Sequence, residues 1–234
     1  MIKILIEVKE HIIMYLFFPL FIYFLKGKLK IQQNFSLIDY YVLLGLIMFL
    51  SISQFTIYTY AETHHINNAH VKTIHETKLD KLIPKISDTV YIYHTLYILG
   101  AFLGMLSIKN FKQASYILFF IMVLNIILFF IYIIYPTKLD EKSRDKNEKN
   151  RILKEIDSLD TTGNAWPSTH VTLSVFISYL LYPVFKNWSF LFLVLNCISA
   201  LTTKQHYIPD VISGLALGSI YTYLVRGIFN PNNF

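Results

Sequence analysis

Long apolar runs constrain this chain more than any other feature it has. An α-helix needs about 20 apolar residues to cross the hydrocarbon core of a bilayer. The clearest runs cover 40–60, 89–108 and 114–135, where Asp39, Lys109 and Lys112, and Lys138 mark the charged edges. The C-terminal third supplies three more, over 168–185, 187–203 and 207–225, each a little shorter and interrupted by Ser, Thr, Asn or Pro. Polar side chains in such segments usually face other helices or a water-filled cavity, because hydrocarbon would leave them unpaired. A hydrophobic content of 54% against 15% charged residues lies outside the range of soluble domains. Together these features predict an all-α, polytopic transmembrane helix bundle of six or seven helices, forming one membrane-embedded domain over 1–234.

The seventh helix depends on the N-terminal run. Residues 12–25 are apolar but follow Lys3, Glu7, Lys9, Glu10 and His11, so this segment either spans the bilayer or lies on its surface. After Leu25 the chain reads Lys26-Gly27-Lys28-Leu29-Lys30 with no small-residue cleavage site, so the run is expected to be retained rather than removed as a signal peptide. Cys197 is the single cysteine and sits in an apolar run, so no internal disulfide can form.

Alternating the spans places 61–88, 136–167 and 204–206 on one face, and 26–37, 109–112, 186 and the C-terminus on the other. The second face carries Lys26, Lys28, Lys30, Lys109, Lys112, Lys186 and Arg226 in short connectors, with Asp39 as its acidic neighbour. Short basic connectors are normally cytoplasmic, which puts the first face on the non-cytoplasmic side. The formal charge of +6 then needs no nucleic acid to explain it, since anionic headgroups already favour Lys near helix ends. The polar stretch from Lys138 to Arg151 alternates in sign and reads as a solvated helix or mobile loop.

Two segments on the first face carry chemistry. The long loop ends in Asn164-Ala165-Trp166-Pro167-Ser168-Thr169-His170, followed by an apolar run from Val171. Ser168 can cap a helix there, and the N–H groups of a first turn together with the helix dipole favour an anion. His170 would stand beside any phosphate held at that turn; read without a ligand, Ser168 is an ordinary cap and His170 an interfacial histidine. The second segment runs from Ser199 to Asp210 and gathers Lys204, His206 and Asp210 at one membrane edge. A carboxylate beside a histidine can fix its tautomer through one ring nitrogen and leave the other as base, nucleophile or ligand. An acid just inside an apolar run is costly, which marks Asp210 as a functional candidate.

These two segments resemble the type-2 phosphatidic acid phosphatase superfamily, which includes lipid phosphate phosphatases, vanadium haloperoxidases and sphingolipid headgroup synthases. Its middle signature, Pro-Ser-x-His, stands here as Pro167-Ser168-Thr169-His170. Its last signature, Ser-Arg, five residues, His, three residues, Asp, stands as Ser199, Ala200, His206 and Asp210, and Gly214 also agrees. As a pattern of spans the resemblance covers about 78–225, leaving 1–77 as additional N-terminal helices and a His-rich loop. The family's arginine falls on Ala200, and its first signature, Lys, six residues, Arg-Pro, is represented only by Tyr135-Pro136-Thr137-Lys138.

The resemblance implies a phosphoric ester hydrolase acting on a membrane lipid, with no metal and no cofactor. His206 would be the nucleophile held by Asp210, and His170 the acid and base. Ser168, Thr169, Lys204 and Lys138 would hold the phosphate. Headgroup transfer, as in the sphingolipid synthase branch, and an inactive scaffold or transporter that keeps the fold are the alternatives.

The remaining histidines read differently. His64, His65, His70 and His75 match no zinc spacing and have no nearby Cys, so they are expected in a solvated loop. His94, alone in a span, reads as a hydrogen-bonded packing residue.

Overall fold

The computed structural model describes residues 17, 19–29, 31, 34–65, 70–140, 148–159 and 163–230. Within the N-terminal run, 12–16 and 18 lie outside the described residues, as do the charges that precede them and 141–147 of the polar stretch. The chain is mostly helical. A first helix α1 covers 19–28. It is followed by α2 (Leu37–His65), α3 (Val90–Ser107), α4 (Phe111–Ile134), α5 (Arg151–Leu159), α6 (Thr169–Phe185), α7 (Ser189–Thr202) and α8 (Ile208–Arg226). The apolar runs become helices close to their expected bounds. An all-α expectation needs one correction: β1 (Lys72–Ile74) and β2 (Thr137–Leu139) pair in parallel, with Lys72 opposite Thr137 and Ile74 opposite Leu139. They lie in connectors, where span-length hydropathy carries no strand signal.

Among the described residues four helical stretches are long and apolar enough to cross a membrane: Leu37–Ala61, Phe111–Ile134, Thr169–Thr202 and Ile208–Arg226. At 24 residues, α4 extends about 36 Å, more than a bilayer's hydrocarbon thickness. The stretch Thr169–Thr202 folds back on itself at Lys186, whose φ of 50° breaks α6 from α7. Ser178 donates to the Ser189 carbonyl at 3.0 Å and Asn196 Nδ2 to the His170 carbonyl at 3.3 Å, so the two helices run antiparallel.

The starts of α2, α4, α6 and α8 are closed by side chains, which satisfy first-turn N–H groups. Asp39 Oδ2 accepts from Ser36 N at 2.7 Å while Ser36 Oγ accepts from Asp39 N, a capping box at α2. Asn110 Oδ1 accepts from Gln113 N at 2.9 Å at α4, and Gln113 reaches back to Lys109 N. Ser168 Oγ accepts from Val171 N at 3.4 Å at α6. At α8, Asp210 Oδ2 accepts from Tyr207 N at 2.9 Å, and Pro209 occupies the first turn, where its missing N–H costs nothing.

Polar connectors gather at one end of the bundle. Ile86 N donates to the Thr202 carbonyl, Gln205 Nε2 to Asp157 of α5, and Trp166 N to the Thr137 hydroxyl. At the opposite end Asn34 N donates to the Lys109 carbonyl, and Lys26, fully buried, donates to the Ile108 carbonyl beneath the Phe35 and Tyr40 rings. These contacts group the connectors around 86, 137, 157, 166 and 205 at one end and those around 26, 34 and 109 at the other.

Candidate active site

The site is built on a close backbone contact between α6 and α8. Gly214 and Gly218 lie one turn apart on α8. A Cβ on Gly214 would meet the Ser168 carbonyl at 2.8 Å, and one on Gly218 the Thr172 carbonyl at 2.7 Å. Only a residue without a side chain lets these backbones approach so far, the same physics that places small residues four apart at helix contacts in membranes. The first turns of α6 and α8 are thereby locked together, and Ser168 N donates to the Asp210 carbonyl at 3.1 Å.

A tight turn brings in the third component. Thr203 N donates to the Ser199 carbonyl, Lys204 adopts a left-handed φ of 60°, and His206 N returns to the Ala200 carbonyl at 3.1 Å. This reversal sets His206 against His170, with ring centroids 5.9 Å apart and planes at 61°. His206 Nδ1 lies 3.8 Å from Asp210 Oδ2, ion-pair range but too long for a hydrogen bond. Asp210 is fully buried and His206 nearly so. His206 Nδ1 and Asp210 Oδ1 are both buried without a hydrogen-bond partner, an arrangement that a native interior seldom leaves without a role.

Three residues absent from the sequence reading complete the surroundings. Tyr93 of α3 stacks on His170 with centroids 4.2 Å apart, and its hydroxyl is 3.0 Å from His170 Nδ1. Asp80 is buried in the connector before α3, where its carboxylate accepts from Thr77 N and Thr77 Oγ1 on one oxygen and from Ile208 N at 2.8 Å on the other. That fixes the connector to the start of α8. Asn196 of α7 ties down the first turns of α6 through the His170 carbonyl and the Ser174 hydroxyl. Thr77-Lys78-Leu79-Asp80 is a readable capping pattern, as is Gly214 followed four residues on by Gly218. Tyr93 carries no such signal.

The four residues expected to hold phosphate are placed unequally. Ser168 and Thr169 immediately precede His170, but Ser168 caps α6 and the Thr169 hydroxyl meets Tyr132, which also donates to the Pro167 carbonyl at 2.8 Å. Lys204 sits two residues before His206, yet its ammonium is held by Glu76 at 3.1 Å and by the Asp80 carbonyl at 2.6 Å. Lys138 lies on β2 with its backbone paired to Thr73 and Gly163. Among the described residues no hydrogen bond or ion pair joins it to His170, His206 or Asp210.

His94 differs from its sequence reading. It is exposed on α3 with no hydrogen bond to its ring among the described residues, because the helical turn that points Tyr93 inward carries its neighbour about 100° around. His70 and His75 are exposed, and His75 Nδ1 lies 3.2 Å from Asp140. The side chains of His64 and His65 lie outside the described residues. No three His, Cys, Asp or Glu side chains among the described residues gather in a way that could hold a metal ion.

An open depression of about 750 Å³ lies at the same end, lined by Lys85, Asp88, Tyr91, Glu148 and Arg151 among others, and includes none of the trio. Its best-held charge is Glu148. Burial alone would raise this carboxyl, but Lys85 at 2.7 Å, the Asn150 N–H and the Ser87 hydroxyl outweigh that and lower it to about 2.

Comparison of this chain with known protein families, curated proteins and solved structures yields no match.

Proposed function

We propose that this protein is a membrane lipid phosphate phosphatase working through a phosphohistidine. The reading rests on one observation: two segments far apart in sequence bring His170, His206 and Asp210 together at one end of an apolar bundle. Asp210 faces Nδ1 of His206, which leaves Nε2 as the nucleophile. A lone pair on His206 Nε2 attacks phosphorus, and the P–O bond to the lipid breaks in line. His170 Nε2 gives its proton to the departing alkoxide. In the second half His170 takes a proton from water, the water oxygen attacks phosphorus, and the P–N bond breaks with its electron pair returning to His206. Inorganic phosphate leaves. Two imidazoles suit this cycle because an imidazole nitrogen can both give and take a proton.

The six helices α2, α3, α4, α6, α7 and α8 are then six crossings. The short basic connectors at the far end make that end cytoplasmic and put the trio on the non-cytoplasmic face. Positive charge at the site is scarce, with Ala200 at the family's arginine position and Lys204 bound to Glu76. That scarcity favours two other readings: headgroup transfer to a lipid hydroxyl, and a scaffold or transporter that keeps the fold.

Purified protein in vesicles should release inorganic phosphate from phosphatidate, diacylglycerol pyrophosphate or a polyprenyl pyrophosphate. His206→Ala should lose it by about 1,000-fold or more. Undiminished release by His206→Ala sinks the mechanism. A new phosphorylated lipid formed from added ceramide or lipid A, with little free phosphate, establishes transfer. No turnover together with no vanadate-induced rise in melting temperature establishes the scaffold.

A further inference from the structure

Tyr93 is a residue that the two motifs do not contain. Its ring lies against the face of His170, its hydroxyl meets Nδ1 at 3.0 Å, and it is buried. We infer that Tyr93 is a positioning residue that holds His170 in the tautomer protonated at Nδ1, so that Nε2 is the nitrogen that exchanges protons with the reacting groups. The inference rests on the phosphatase reading for its catalytic meaning, though not for its geometry.

The argument follows from the two nitrogens. In the doubly protonated ring both carry N–H, and the one facing Tyr93 donates to the phenol oxygen. When Nε2 hands its proton to a leaving alkoxide, the Nδ1–H remains engaged, and the neutral ring is left with its lone pair at Nε2. That lone pair is the one needed to accept a proton from water. A phenol oxygen can accept from Nδ1–H or donate to a bare Nδ1, and the first arrangement is the one that presents Nε2 as a base to the site. Tyr93 also fixes the ring plane by stacking, while Asn196 fixes the backbone behind it through the His170 carbonyl. His206 from the turn before α8 faces His170, with Asp210 behind it, and His94 of α3 lies near enough to act on its charge through space.

The test uses full-length protein in detergent micelles with ¹⁵N-labelled histidine, the His170 resonances being assigned by their loss in His170→Asn. Wild type should show His170 protonated at Nδ1, and Tyr93→Phe, which keeps the stack, should show loss of that preference. A wild-type His170 protonated at Nε2, or a tautomer unchanged in Tyr93→Phe, overturns the inference. In turnover, Tyr93→Phe should lower kcat by about 10-fold or more with KM unchanged, and shift the limb of the pH profile that reports His170. Unchanged kcat and pH profile in an active protein also overturn it. If wild type turns over no lipid phosphate, the phosphatase reading fails while the tautomer measurement still decides the role of Tyr93.

Discussion

The α2–α4 and α6–α8 contacts are both made by long apolar helices, yet they are built in opposite ways. Along α2 only 12% of the most apolar window is buried, and Phe49, Ile52 and Phe55 point outward. Its meeting with α4 uses side chains, including the edge-on rings of Tyr58 and Tyr132 and an amide contact between Asn125 and Gln54. Along α8 the buried share is 33%, and the approach to α6 is backbone against backbone at Gly214 and Gly218. Side-chain packing tolerates adjustment, whereas two carbonyls closed on two glycines leave none. The half that carries the histidines is therefore the half with least freedom, as a site that must hold two rings 5.9 Å apart requires.

That contrast can be broken most directly at the glycines. Gly218→Val should destabilise the protein by about 2–3 kcal/mol, because its Cβ would start 2.7 Å from the Thr172 carbonyl. Gly45→Ala on α2 meets nothing within 4 Å and should leave the melting temperature in detergent unchanged or slightly raised. Equal losses for both variants would show that the two contacts do not differ as described.

Next in size is Asp80→Asn. The amide keeps one acceptor oxygen but presents N–H₂ to either Thr77 or Ile208, so one bond at the buried site is lost, at about 1–3 kcal/mol. Proteolysis of the connector 76–89 should accelerate while α2 and α4 stay protected. A connector as resistant as in wild type would mean that Asp80 does not anchor it.

The smallest effect concerns Glu148, in a connector outside the spans. Its folded-state pKa is depressed from 4.5 to about 2, so its ion pair contributes stability above about pH 4.5 and loses it as pH falls toward 2. Wild type should melt above Glu148→Gln at neutral pH, and the gap should shrink across that acidic window. A gap independent of pH would assign the difference to packing rather than charge.

The helices were legible because their signal is local. Charge-free length, Asp39 and Lys109 at the edges, and a capping serine before an apolar run are all read within a few residues. The pairing of His170 with His206 and Asp210 was legible only through motif order, and Lys204 shows the cost of reading neighbours in sequence as neighbours in space. It stands two residues from His206, yet its ammonium is turned to Glu76, 128 residues earlier. Asp80 and Tyr93 belong to the connector and helix that close over the site, and nothing in their immediate sequence announces a partner on α6 or α8.

By itself the sequence determined that the chain is mostly helical, that several of its helices are apolar and long enough to cross a membrane, and where they start. Those follow from transfer free energy and from the requirement that backbone groups be satisfied in lipid. Only the tertiary structure decided which side chains meet. It placed Tyr93 on Nδ1 of His170, left His206 Nδ1 facing a buried carboxylate at 3.8 Å, and gave Lys204 to Glu76. Such contacts depend on helix rotation and on a backbone separation of a few ångströms, which the α6–α8 glycines set and which no local pattern of apolar residues encodes.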